Sequence, residues 1–267
     1  MKTPITIRAS SFPELFDCPA RWEAKYVRNL RLPRSSGAQL GTAIHASTAL
    51  FDTALVEGNP ITADEAAGAA VDAIHHPQEE VTWDDDMKPQ SAERIALALH
   101  GKYCALVAPT QNYIGVEVTC EALHITDLGL IVTGSTDRVR SNEADGLGIS
   151  DLKSGATAVG ADGRVKTAGH LAQLAVYEML TAHALGRPMN IPAQIIGLQT
   201  GKTDKAQRVA VASLDTPSAV LIGTEEQPGY LEMASSLLHS GNFYGNPRSQ
   251  LCGAKYCPAH GTCRFKG

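Results

Sequence analysis

Near residue 110 the hydrophobic pattern of this 267-residue chain changes period, and that change narrows the possible folds more than any other feature. Upstream, the apolar residues recur at helical spacing. GTAIHASTALFDTALVEG (41–58), TADEAAGAAVDAIHH (62–76) and SAERIALALHGKYCALVA (91–108) read as helices, the first closed by Gly58 and the second capped by Thr62 reaching Glu65. Ser11, followed by Pro13 and Glu14, predicts a capping box that opens an earlier helix running through LFDCPARWEAKYV (15–27) in spite of Pro19. Downstream, IGVEVTCEALHI (114–125), LGLIVTGSTDRVR (128–140) and GLGISDLKSG (146–155) are short, rich in β-branched residues and separated by turn signals, which predicts a three-stranded meander. TAGHLAQLAVYEMLTAHALG (167–186) follows as an amphipathic helix, then two strand-like segments at 192–200 and 205–214, then a late helix within 217–241.

This order predicts a single α/β unit, a central mixed sheet flanked by helices. Residues 1–110 would form a mainly helical addition, 111–215 the α/β core, and 216–267 a C-terminal helix and cysteine-rich loop. Hydrophobic residues at 43% and charged residues at 19% exclude a disordered or collagen-like chain. No run approaches the roughly 18 apolar residues that span a bilayer, and MKTPITIRASSFPEL lacks the apolar stretch of a signal peptide, so a cytoplasmic protein without a membrane partner is expected. In that reducing compartment six cysteines imply metal chemistry or core thiols, not a disulfide framework.

A net charge of -5 excludes coating nucleic acid by bulk electrostatics but leaves room for a local basic groove. Arg21, Lys25, Arg28, Arg31 and Arg34 form a basic run, of which Arg28 and Arg31 are the candidate DNA contacts. Glu79, Glu80, Asp84, Asp85 and Asp86 form an acidic one; the plain reading of either run is a solvated face.

In DLKSG, Asp151 and Lys153 are two apart on a predicted strand and share one face, with Leu152 directed to the core. Asp137, at the end of the preceding strand, comes near Asp151 if the two strands pair. Neighbouring carboxylates repel, and a divalent cation relieves that repulsion; Mg2+ suits few carboxylates and a backbone carbonyl, with waters left for phosphate. Lys153 would supply positive charge at a scissile phosphate. Alone, Asp-x-Lys also describes an ordinary exposed ion pair.

The surrounding motifs resemble the RecB-like, lambda-exonuclease-like branch of the PD-(D/E)XK nucleases, including members with a C-terminal iron-sulfur cysteine cluster. The resemblance rests on SSFPELFDCPARWEAKYV, GTAIH, the glutamate of GVEVTCE, GSTDRV, DLKSG and QLAVY, in that order over residues 10–177, with the cysteine tail extending it to 263. It implies a restriction-endonuclease-like core. It implies that His45, Asp137, Asp151 and the carbonyl of Leu152 line a Mg2+ or Mn2+ site, with Lys153 as catalytic lysine. Gln173 and Tyr177, one helical turn apart, would contact the DNA backbone or steady the lysine. Glu117 best fits the upstream glutamate, with Glu121 as rival.

CGAKYCPAHGTC places Cys252, Cys257 and Cys263 within twelve residues, a loop suited to wrapping a metal. A fourth ligand from His260 would give a Cys3His zinc site. The resemblance instead implies that Cys18 joins them around a 4Fe-4S cluster. Cys104 and Cys120 read as buried thiols. The function expected is a metal-dependent DNA nuclease, exonuclease before endonuclease, acting on single strands or duplex ends. Recombination, repair, and phage or CRISPR-type processing in a bacterial or phage setting all fit, alone, as a homo-oligomer or with a recombination partner. The alternative is a catalytically idle DNA-binding scaffold with a structural iron-sulfur or zinc site.

Overall fold

The computed structural model describes residues 3–215 and 217–266. A first strand, β1 (Ile5–Arg8), leads through two short helices, α1 (Phe12–Asp17) and α2 (Pro19–Tyr26), to a two-residue strand β2 (Arg34–Ser35) and the long helix α3 (Ser36–Val56). Then come α4 (Ala63–His75), the short β3 (Val81–Thr82) and α5 (Pro89–Leu106). The core continues with β4 (Tyr113–Ile125), β5 (Leu130–Ser141), β6 (Leu147–Gly155), α6 (Leu171–Leu185), β7 (Ala193–Gln199), β8 (Val209–Leu214) and α7 (Tyr230–Ser240).

The expected mixed sheet flanked by helices is present, as six strands in the order β1-β5-β6-β7-β8, with β4 along the other edge of β5. β4–β5 and β5–β6 are antiparallel, as the meander requires; β6–β7 is parallel, with α6 as the crossover. β5 is long enough to serve three neighbours. Its first residues pair with β1, its last with β6, and β4 covers much of its opposite edge. Two cores result. Phe12, Leu15 and Trp22 pack with Leu174, Val176 and Tyr177 in one; Leu40 and Ile44 pack with Ile95, Leu99 and Leu152 in the other.

Three sequence expectations are corrected. Residues 5–8 form a strand, parallel to β5, where only helical structure was expected upstream of 110. The helix expected through 15–27 is broken at Cys18, which is extended at φ -150° and ψ 90°. A residue before proline is held out of the helical region by the ring, and Pro19 then starts α2. The capping box at Ser11 does not form. Ser11 Oγ donates to the Arg8 carbonyl at 2.8 Å and accepts from Trp22 Nε1 at 3.1 Å, while Glu14 is taken by Arg21 and Lys25, each at 2.7 Å. The box at Thr62 and Glu65 does form.

The acidic run is a solvated face, as expected, with Asp84 alone half-buried. Asp84 accepts from Ser36 and from Lys255 of the C-terminal loop, and Asp86 pairs with Lys202. Among the described residues no helix is long and apolar enough to cross a membrane.

Candidate active site

Asp137 stands in the middle of three strands. The pairing of Val116 with Arg138 and Val118 with Thr136 puts Glu117 across from it on β4; the pairing of Arg138 with Ser150 leads to Asp151 across from it on β6. A row of three carboxylates thus crosses β4, β5 and β6. Glu121 falls inside the register shift between Cys120 and Leu123, away from this row.

His45 reaches the row from α3, with Nδ1 3.8 Å from Asp137 Oδ2. Helix and sheet come this close because position 41 is glycine: a Cβ there would meet Ser154 Oγ at 2.8 Å. One turn later His45 is over the strands. One ligand atom each from His45, Glu117 and Asp137 lie within 4.8 Å of one another, close enough to converge on a single metal ion. An open groove of about 450 Å³ leads to them, lined by Gly41, Thr42, His45, Ala46, Ala49 and Glu117.

Asp151 is 1% exposed and outside that threesome. Burial pushes its carboxyl up to about 6 against the opposing pull of Lys153, and the nearby Asp137 charge adds to the rise. Lys153 Nζ lies 2.5 Å from Asp151 Oδ2. A buried carboxylate balanced by a single ammonium, a second carboxylate across the strand and an imidazole nearby form a donor set suited to a hard divalent cation. Asp137 Oδ2 accepts the Leu152 N–H at 2.7 Å, which ties β5 to β6 at this point. Leu152 itself is buried in the core beneath.

Gln173 Nε2 donates to Tyr177 Oη at 3.0 Å and both side chains are buried, so they face the interior of the site and offer little surface to a DNA backbone. Burial raises the Tyr177 phenol above its usual range, and Asp151, Asp137 and Glu117 are near enough to add to the rise. Burial likewise raises the Glu117 carboxyl, with Asp137 next in effect.

His170, which the sequence reading passed over, belongs to the same neighbourhood. Burial pushes its imidazole down to about 4, with Lys153 and Lys166 acting in the same direction, so it is neutral at pH 7. Its signal in the sequence was a histidine immediately ahead of the helix carrying Gln173.

A second constellation lies at the chain ends. Cys18, Cys252, Cys257 and Cys263 line one cavity of about 190 Å³, together with Arg21 and His260. Cys18 Sγ accepts the Asn246 N–H at 3.4 Å, and burial raises the Cys257 thiol, with Cys18 and Cys263 close enough to contribute. The two segments are stitched by side chains as well: Ser249 Oγ donates to Asp17 at 2.6 Å and accepts from Arg21 Nη1 at 3.3 Å, and Arg21 is itself held within the first segment by ion pairs to Glu14 and Asp17. Cys120 is buried and Cys104 half-buried; Cys104 packs with the α3–α5 core, and burial pushes its thiol up to about 12.

Of the basic run, Arg21 is buried in those ion pairs. Arg28 pairs with Glu23 at 2.9 Å, and Arg31 donates to the Lys25 carbonyl; both remain open to solvent.

Among solved structures the chain is similar to SSO0001, at 13% identity and a TM-score of 0.46 over 100% of this chain and 89% of that one. It is also similar to a structure described as a "putative exonuclease" from Eubacterium rectale, at 13% identity and a TM-score of 0.52 over 92% of this chain and 86% of that one. No curated protein matches it. The sequence model of the PD-(D/E)XK nuclease superfamily matches residues 7–264, nearly the whole chain. The chain belongs to the PD-(D/E)XK nuclease superfamily.

Proposed function

We propose that this protein is a Mg2+- or Mn2+-dependent deoxyribonuclease that hydrolyses phosphodiester bonds from DNA ends. One observation carries the reading: His45, Glu117 and Asp137 converge within 4.8 Å beside buried Asp151 and its ion-pair partner Lys153. His45, Glu117, Asp137, Asp151 and the Leu152 carbonyl are the groups that would hold the metal. When bound, the cation neutralises the scissile phosphate and makes an attacking water more acidic.

The remaining work falls to the chain. Lys153 Nζ, fixed on Asp151, is placed to orient the water and to offset negative charge as the phosphorus becomes five-coordinate. Gln173 and Tyr177 hold the floor of the site, and neutral His170 lies beside the lysine without adding positive charge. Arg28 and Arg31 are the proposed contacts to DNA phosphates. The end-directed reading is supported by the exonuclease description of the Eubacterium rectale neighbour, whose likeness extends to the fold.

The four-cysteine cavity is proposed to hold a 4Fe-4S cluster. What supports this reading is that Cys18, from the N-terminal segment, lines one cavity with all three cysteines of the tail, giving the four thiols that such a cluster takes. Zinc held with His260 is the competing reading, and metal analysis of protein purified without oxygen decides between them.

The test of the main reading uses end-labelled DNA, single- and double-stranded, linear and circular, with Mg2+, Mn2+ or chelator. Linear substrates are expected to be degraded with metal and spared in chelator, and circles to resist. Cleavage in excess chelator would remove the metal mechanism; circles cut as fast as linear DNA would remove the end dependence.

A further inference from the structure

Behind Glu117 and Asp137 lies a buried ion pair that the chemistry above does not use. Arg138 on β5 and Asp52 on α3 are both 0% exposed. Arg138 Nε donates to Asp52 Oδ2 at 2.6 Å, and the Tyr103 hydroxyl donates to the same oxygen at 2.5 Å. Tyr103 is 3.2 Å from the Tyr113 hydroxyl, and the Tyr113 ring centre is 5.9 Å from the guanidinium carbon. Asp52 Oδ1 has no hydrogen-bond partner. Taking two ions out of water costs more than filling the same volume with apolar side chains, so stability is a poor explanation for this pair.

The other guanidinium nitrogens suggest a better one. Nη1 donates to the Asp137 carbonyl at 2.7 Å and to Glu117 Oε1 at 3.3 Å, while Nη2 is 3.4 Å from Thr48 Oγ1 on α3. A single nitrogen therefore bridges the two strands that carry two of the three clustered ligands. Glu117 needs such a hold. Its φ of +48° is in the left-handed region, unusual for a residue other than glycine, so the regular pleat of β4 does not aim its side chain. The side chain is half exposed and faces the like charge of Asp137. Left alone, it is driven outward into the groove.

We propose that the Asp52–Arg138 ion pair is a positioning device that keeps Glu117 beside Asp137 and His45 for divalent-cation binding, an inference that rests on the metal-nuclease reading above. Asp52 and Thr48 anchor the guanidinium on α3, the helix that also delivers His45, so one rigid element sets both ligands. The task needs arginine. Lysine would keep the charge and the bond to Asp52, but its compact ammonium lacks the planar fork that reaches Asp52, Thr48, Glu117 and the Asp137 carbonyl together.

Mn2+ binding to metal-free protein, read by electron paramagnetic resonance, tests this without relying on cleavage. Arg138→Lys and Asp52→Asn are expected to weaken Mn2+ binding by about 10- to 100-fold, the usual effect of removing a group that orients a metal ligand. Cleavage is expected to recover as Mn2+ is raised. A folded variant of either kind that binds Mn2+ as tightly as wild type, whatever its Tm, overturns the proposal. Should both variants fail to fold, the wild type decides: the Arg138 Nε–H resonance must move when Mg2+ is added, and no movement at saturation overturns it. Glu117→Gln serves as reference. If that variant alone leaves Mn2+ affinity unchanged, the metal site itself has been misassigned, a failure distinct from that of the ion pair.

Discussion

Asp151→Asn is expected to make the metal-free protein more stable while abolishing cleavage. The carboxyl is 1% exposed, and burial moves it from 3.8 to about 6. At 1.36 kcal/mol for each pH unit, holding it ionised at pH 8 costs about 3 kcal/mol of folding free energy. Asparagine removes that charge and gives up the 2.5 Å contact with Lys153, whose side chain is 23% exposed and reaches water. A net gain of about 1–2 kcal/mol follows, or an increase in Tm of about 2–8 °C. The sign fixes the pH window. The folded state holds this proton more tightly than the unfolded chain, so the wild-type penalty is absent below about pH 4, grows between about 4 and 6, and is full above. Thermal denaturation in chelator from pH 4 to 8 is the assay. The advantage of the variant is expected to appear only as pH rises, and to shrink when Mg2+ is added, because Mg2+ stabilises the wild type alone. A variant less stable than wild type at pH 8 in chelator, or an advantage that does not vary with pH, would refute the reasoning.

Lys153→Ala is expected to lower the cleavage rate by about 10²- to 10³-fold while DNA binding and fold are retained; undiminished cleavage would remove the lysine from the mechanism. Cys18→Ser is expected to bleach the brown colour of anaerobically purified protein and to lower Tm, whereas retention of zinc in that variant and its loss in His260→Ala would replace the cluster with a zinc site. Replacing Arg28 and Arg31 together with alanine is expected to reduce the slope of log affinity against log salt by about 2, roughly 0.9 for each phosphate contact. An unchanged slope returns both residues to the solvent-facing role that their partners Glu23 and the Lys25 carbonyl already describe.

What the sequence disclosed depended on how far apart the deciding residues are. The meander was legible because its turns and β-branched runs are local, and with it came the adjacency of Asp137 and Asp151. β1 was not: four residues, ITIR, carry no periodic signal, and their pairing with Leu130–Thr133 is a contact over more than a hundred positions. The break at Cys18 was written in Pro19 and outweighed by the helical pattern around it. Glu117 and Glu121 were indistinguishable by spacing, because the register shift between Cys120 and Leu123 is a property of the paired sheet. Asp52 and Arg138 were invisible as a pair. A lone aspartate in an apolar helix and an arginine in a strand acquire meaning only when α3 lies on β5, 86 residues away in sequence.

The two constellations are joined by packing. Cys18 occupies the extended joint between α1 and α2, and Phe12, Leu15 and Trp22 on either side of it share a core with Leu174 and Tyr177 of α6. The joint therefore packs against the helix that carries Gln173 and Tyr177 into the site. The tail is also held without any metal: Ser249 and Asn246 bond to Asp17, and Lys255 to Asp84. If the cavity holds the proposed cluster, its loss is expected to loosen the α1–α2 joint before it releases the tail. Glu117 and Asp137 have an anchor of their own, on α3 through Arg138 and Asp52. A cluster in the cysteine cavity, as proposed, would thus act on the stability of the α6 floor, while Glu117 and Asp137 keep their geometry from α3.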